Sequence, residues 1–342
     1  MEKKILRWTT VCSGVLTVLI CVCLYMLPST KEKLALMLGF MEQETVVEII
    51  KDPAEIEKEQ LNIELPENVD GKDITITNDY LTQTIYVRFA NGVDNYSENY
   101  SVKGGSNHIA QLSYYKEDGA GVLEINLDKV CEISYSYKGG FLCMDIMDPH
   151  QMYDKIIVVD AGHGGRNPGA VKRGVHEKKL NLEIVLELKE ILDELEDEGI
   201  KTYYTRVSDT GPTLMERVDL ANYVDADLFI SVHNNSSNSG LFNNENGTLI
   251  LYSPDDGGAH SSKRLAEICV EKVTESTGSR DLGIVDGDNI YIVRTSEVPV
   301  ALIEVGYMTN ATELKNLQDS EYQKKVAQGI YNAIMQAFEE GF

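Results

Sequence analysis

Positive charge is what this sequence has least of. Its 342 residues carry 31 Lys and Arg against 55 Asp and Glu, a formal net charge of −24 at pH 7. Phosphate backbones and anionic headgroups are held by clustered Lys and Arg, so this balance excludes nucleic acid as a partner and excludes adsorption to an anionic surface by charge. Cysteine is also sparse: the six present do not make a disulfide framework. Cys269 lies on the apolar stripe of an expected helix with Leu265 and Val273, where a thiol is simply a small core group. Cys131 and Cys143 flank the turn Lys138-Gly139-Gly140 at unequal offsets, which suits a cross-hairpin bridge poorly. Cys12, Cys21 and Cys23 fall in the one long hydrophobic run, from Trp8 to Leu27, which Lys3, Lys4 and Arg7 precede. About twenty apolar residues suffice to cross the hydrocarbon core as a helix. The run leaves through Tyr25-Met26-Leu27-Pro28, without the small residues of a signal-peptide cleavage site. The expectation is an uncleaved, single-pass anchor over residues 1–28 in the cell membrane, with the rest of the chain extracytoplasmic.

Beyond it, residues 29–70 are rich in Glu, interrupted by Pro53 and Pro66, and read as a solvated stalk. From Ile74 the hydrophobic period becomes two. Ile74–Ile76, Thr84–Phe89, Gly121–Leu127 and Glu132–Tyr137 alternate as strands do, and Asn91-Gly92, Gly104-Gly105, Asp118-Gly119 and Gly139-Gly140 punctuate them. Residues 71–148 are therefore expected to form a small all-β domain in which nothing looks catalytic; only a loose likeness in architecture suggests a targeting module. From Lys155 the pattern changes to strands alternating with helices. Ile156–Asp160 is a continuous apolar run, as a strand covered on both faces should be. A helix is expected from about Glu177, closed by Gly199; Thr213-Leu-Met-Glu216 is a capping box opening another. Strands at 201–206, 228–232, 248–252 and 300–305 and helices near 261–276 and 320–338 complete an α/β domain, residues 155–342, with a mostly parallel sheet flanked by helices.

In such sheets, ligands bind beyond the carboxyl ends of the strands. Three of these ends carry residues with metal or acid–base capacity: Asp160-Ala-Gly-His163-Gly-Gly, Ser231-Val-His233-Asn234-Asn235, and Ile303-Glu304-Val-Gly. Glu177 stands at the start of the first helix, reached by the 163–176 loop. Two imidazoles and one carboxylate suit catalytic zinc, which keeps a position for water, and a second carboxylate near that water supplies a general base. Read alone, each has a plainer explanation. A histidine after a strand is commonly a hydrogen-bonded loop residue, and Glu177 is a first-turn carboxylate favoured by the helix dipole. His176 competes with Glu177 as its neighbour. Glu304, an acid ending a Val-Ala-Leu-Ile strand, is the one a plain reading explains least. The arrangement hydrolyses an amide or ester without specifying which.

Residues 155–338 resemble the zinc-dependent N-acetylmuramoyl-L-alanine amidases nearly end to end. The resemblance is carried by VDAGHGGRNPGA (159–170), HEKKLNLEI (176–184), YTR (204–206), RVDLANYVDADLFISVHNNS (217–236) and IYIVRTSEVPVALIEVGYMTNATE (290–313), five blocks in register. It implies zinc held by His163, Glu177 and His233, Glu304 as catalytic base, and the amide between N-acetylmuramic acid and L-alanine of peptidoglycan as the scissile bond. Two departures bear on detail. Asn234-Asn235 stands where small residues are frequent in the family, which makes Asn234 a candidate for substrate contact. The loop 254–262 is short where division-type members insert a blocking helix, which implies that activity is not controlled by that form of autoinhibition. Arg294, preceding the strand of Glu304, is the cation expected to meet the acidic stem peptide. The rival readings are a zinc peptidase cutting within that stem and an inactive wall-binding or assembly protein.

Overall fold

The structure, a computed structural model, describes residues 45–50, 60–67 and 69–342. The expected membrane run, Trp8–Leu27, lies outside them; among the described residues no helix is long and apolar enough to cross a membrane. The chain divides into two compact units. One takes in residues up to Asn78, Ile85–Leu127 and Ser134–Asp145, and the other Asp79–Thr84, Asp128–Ile133 and Ile146–Phe342.

The first unit is built on two five-stranded sheets. In one, Ile109–Glu117 and Ala120–Leu127 pair antiparallel across Asp118-Gly119. Both turn residues have positive φ (52° and 80°), as a two-residue hairpin turn matching the strand twist requires. In the other sheet, Gln60–Glu64 lies between Val102–Gly104 and Phe141–Met147. This corrects the extent of the stalk, expected to run to residue 70. Leu61 and Ile63 are fully buried while Gln60, Asn62 and Glu64 alternate with them, a period-two signal diluted by the acidic residues around it.

The second unit has a six-stranded sheet. Its strands are β1 (Lys155–Ala161), β2 (Ile200–Tyr204), β3 (Leu228–Asn235), β4 (Thr248–Tyr252), β5 (Asp281–Asp286) and β6 (Val300–Tyr307), in the order β2-β1-β3-β6-β4-β5. All neighbours are parallel except β4 and β6, so the expected mostly parallel α/β sheet is what forms. Helices α1 (Glu177–Leu192), α2 (Leu214–Tyr223), α3 (Ser262–Thr277), α4 (Tyr291–Thr295), α5 (Ala311–Leu317) and α6 (Ser320–Glu339) cover its two faces. Ile157, Val159 and Ala161 face the core shared with α1, α3 and α6, while Ile156 and Val158 face the core shared with α2 and α4. Burial on both faces is why β1 reads as an unbroken apolar run. Cys269 packs in the first of these cores, and burial pushes its thiol up to about 12. The capping box of α2 forms as expected, Glu216 N–H donating to Thr213 Oγ1 and Thr213 N–H to the Glu216 carboxylate. Gly199, at φ 82°, ends a 3-10 turn that continues α1.

Candidate metal centre

Two adjacent parallel strands supply the first part of the site. His233 on β3 is directly paired with Glu304 on β6. Strand alternation turns both toward the face that packs on α2 and α4, since Phe229 on β3 and Val300 and Leu302 on β6 share that parity. Beyond β1 the chain turns at Gly162 and presents His163 in the left-handed region, φ 62°, an uncommon conformation for a residue with a side chain. Only glycine fits just before it: a Cβ on Gly162 would stand 2.2 Å from His233 Nε2. Gly169 is constrained in the same way by Glu177 Oε2 (2.5 Å) and His163 Cδ2 (2.6 Å).

At the first turn of α1, Glu177 is 5% exposed. Its Oε1 is 3.0 Å from both His163 Nε2 and His233 Nδ1. The two imidazole rings lie edge-on, with centroids 4.8 Å apart. One ligand atom from each of His163, Glu177 and His233 falls within 4.8 Å of the others, a donor set able to hold a divalent cation. The carboxylate is fixed from behind: Ala170 N–H donates to Oε2 at 2.8 Å and Asn234 N–H to Oε1 at 3.2 Å. Burial works against its charge, but the hydrogen bonds from His163 and His233 prevail and hold the Glu177 carboxyl well below the usual range. Burial likewise opposes protonation of His233, and the Glu177 carboxylate outweighs it, raising the imidazole above its ordinary value. For Glu304 burial dominates. It lifts the carboxyl from 4.5 to about 7, His233 opposing and Glu177 adding to the effect. Glu304 Oε2 is buried and has no hydrogen-bond partner, an orphaned acceptor on the strand beside His233.

A layer of buried polar groups holds the turn that carries His163. Asp160 accepts from Thr205 Oγ1 (2.6 Å) and Ser231 Oγ (2.7 Å) and is ion-paired with Arg217 of α2. Burial disfavours its charge, yet Arg217 and the two hydroxyls keep its carboxyl below the ordinary value. Arg217 also donates to the carbonyls of Ala161 (2.9 Å) and His163 (2.6 Å), and Arg206 to those of Ala161 (2.7 Å), Gly162 (2.9 Å) and Lys178 (2.8 Å). These contacts over-determine the backbone on both sides of His163, which is what keeps a left-handed histidine in place.

The three residues read as metal ligands therefore meet at one point, Glu304 is paired with one of them, His233, on the neighbouring strand, and His176 does not join them. It is exposed on the short hairpin Val171–Lys172/Val175–His176, outside the cluster. His260 is exposed, its ring tilted at 41° against Phe342 with centroids 5.2 Å apart. The two residues expected to contact substrate have partners within the protein. Asn234 follows His233 on a strand, so it points to the opposite face; it is 2% exposed and its Nδ2 donates to Asn181 Oδ1 at 2.7 Å. Asn181 in turn donates to the Gly162 carbonyl (3.0 Å) and faces Glu177 Oε1 (3.5 Å), so this amide pair buttresses the ligands. Arg294 ends the short α4 and donates to the Asp288 carbonyl at 2.8 Å. It is absent from the walls of the cleft of about 460 Å³ that opens over His163 and His233, whose lining includes Arg166, Asn167, Thr213, Leu214 and Ile292. The supporting layer of Asp160, Asn181, Arg206 and Arg217 escaped the sequence reading, although an Asp closing an apolar strand and an Asn one turn after Glu177 were visible signals.

Comparison with known proteins falls on this second unit. A family model described as N-acetylmuramoyl-L-alanine amidase matches residues 157–336. YqiI of Bacillus subtilis, an uncharacterized protein, is 36% identical over 180 residues, 53% of this chain and 83% of its own. The N-acetylmuramoyl-L-alanine amidase LytC of the same organism is 35% identical over 176 residues, 52% of this chain and 34% of its own, so the chain spans about a third of that relative. The crystal structure of an N-acetylmuramoyl-L-alanine amidase from Clostridium difficile 630 matches with a TM-score of 0.51 at 29% identity, covering 55% of this chain and 98% of that one.

Proposed function

The chain belongs to the N-acetylmuramoyl-L-alanine amidase family, and we propose on that premise that it hydrolyses the amide joining N-acetylmuramic acid to L-alanine in peptidoglycan, with zinc as its cofactor. The observation that carries the reading is the convergence of His163, Glu177 and His233 on one point beside the unpartnered Oε2 of Glu304. Zinc held by those three residues would supply Lewis acidity, activating water at neutral pH and polarising the scissile carbonyl. The chain itself supplies the rest. Glu177 presents Oε1 because Ala170 N–H holds its other oxygen. His163 is aimed by a backbone that Arg206 and Arg217 grip at four points of the turn and helix. Glu304, whose buried Oε2 has no other partner, accepts a proton from the attacking water and returns it to the leaving amine.

The test separates binding from chemistry. The purified protein is expected to hold about one zinc per chain, a catalytic site of this ligand type taking a single ion. His163→Ala, Glu177→Ala and His233→Ala should each lose it. Glu304→Gln should keep the zinc and slow turnover by roughly 10²–10⁴-fold, the usual contribution of a general base. Undiminished zinc in Glu177→Ala, or near-normal turnover in Glu304→Gln, contradicts the roles assigned.

We further propose that the hydrophobic run Trp8–Leu27 keeps the enzyme at the outer face of the cell membrane. The supporting observations are its length and flanking Lys3, Lys4 and Arg7, together with a net charge of −24 that gives the chain no electrostatic hold on an anionic wall.

A further inference from the structure

We propose that Arg166 determines substrate specificity in the amidase cleft by binding a carboxylate of the stem peptide, so that peptides acidic next to the scissile bond are preferred over their amidated forms. The inference rests on the amidase reading and adds to it the residue that reads the peptide's charge.

The cleft over the two histidines is lined by two cations, Arg166 and Arg217. Arg217 is committed: it is ion-paired with the buried Asp160 and bonded to backbone carbonyls. Arg166 is exposed, and among the described residues its guanidinium makes no hydrogen bond or ion pair. Its backbone is the opposite case. Gly164 and Asn167 exchange both N–H···O bonds, 3.0 and 2.9 Å, closing a turn with Gly165 and Arg166 at its tip. Gly165 N–H donates to Asp209 Oδ1 at 3.0 Å, and Lys178 Nζ bridges the Gly165 carbonyl (2.8 Å) and Asp209 Oδ2 (2.6 Å). The same turn continues from His163, three residues earlier in the chain. A rigid support, fixed relative to the metal ligands, thus carries an unpaired guanidinium on the wall of the cleft.

That is the arrangement by which an arginine recognises a carboxylate, two N–H groups in a planar fork meeting two oxygens. It answers an electrostatic need of this chain. With a net charge of −24, the protein as a whole repels an acidic peptide. Repulsion from distant charges is screened beyond about 8–10 Å at physiological salt, so Arg166, the cleft cation without an ion-pair partner, acts on a bound carboxylate at short range. An amide in place of the carboxylate keeps one acceptor oxygen but loses the other and the charge, which makes the carboxylate-to-amide exchange the natural readout.

The experiment uses the zinc-loaded enzyme and two muropeptides that differ only in whether the second stem residue bears a free carboxylate or a carboxamide. For the wild type, KM should be about tenfold lower for the carboxylate form, the scale of one charge-assisted hydrogen bond at a partly solvated site. Arg166→Ala should raise KM for that substrate to the level of the amidated one, with the effect in KM and not in kcat. Arg166→Lys should restore part of the preference, and Arg166→Glu should invert it. Equal changes on both substrates in Arg166→Ala, or a wild type indifferent to the carboxylate, would overturn the assignment while leaving the amidase reading intact. A wild type that cuts both muropeptides only at other bonds would overturn both.

Discussion

At Glu304, stability and activity pull in opposite directions. The carboxyl is raised from 4.5 to about 7 by burial, so the folded protein binds its proton more tightly than the unfolded chain does. The resulting stabilisation is fully present below pH 4.5 and is lost as pH rises through 7, where the charge must be carried in a buried place. In metal-free protein, Glu304→Gln should therefore be more stable than the wild type by about 3 kcal/mol above pH 7.5, the free-energy cost of ionising so strongly raised a carboxyl, and no more stable at pH 4. Denaturant unfolding at the two pH values measures this directly; a gap independent of pH would mean that Glu304 is solvated. Gly162 makes the complementary case, a residue with no chemistry that sets the site. A methyl group there would overlap the His233 ring, so Gly162→Ala should cost zinc affinity even where the fold survives, read by competition against a chelator. Retention of wild-type affinity would show that β3 can move aside.

Among the elements, the junction of β1 with α2 carries most of the polar burden. Asp160 and Arg217 are both buried, 0% and 3% exposed, and each has further partners. Removing one member leaves an uncompensated buried charge, so Arg217→Met should destabilise the protein by about 3–5 kcal/mol. Asp160→Asn combined with Arg217→Met should recover part of that loss, and a double-mutant cycle in urea checks it. Additive losses would show that the pair is not coupled. The same junction explains what could be read from the sequence. The α/β order, the capping box of α2 and the strand ends followed from period and turn chemistry, because each is local or near-local in sequence; His163, Glu177 and His233, which the structure brings together, were singled out as a set only through the family resemblance. What was missed is relational. The two-residue alternation that turns Asn234 away from His233, the partner that commits Arg294 to Asp288, and the free state of Arg166 all depend on which strand lies beside which. The strand Gln60–Glu64 was missed for a different reason: its buried Leu61 and Ile63 sit in a segment whose acidic composition reads as stalk.

For the whole molecule, the charge balance and the N-terminal run make one prediction together. If the run is the membrane hold, replacing residues 1–28 by a cleavable secretion signal should release the protein into the medium with its hydrolytic activity intact. Persistence on isolated wall would instead assign the affinity to the β-rich unit. The reaction itself is tested most directly by what it leaves behind. Purified peptidoglycan digested with the zinc-loaded enzyme, then analysed by mass spectrometry with N-terminal labelling, should yield new L-alanine amino termini and intact stem peptides alongside glycan strands of unbroken length. Stems shortened at internal bonds, with muramic acid still carrying L-alanine, would contradict the amidase reading and make the protein an endopeptidase.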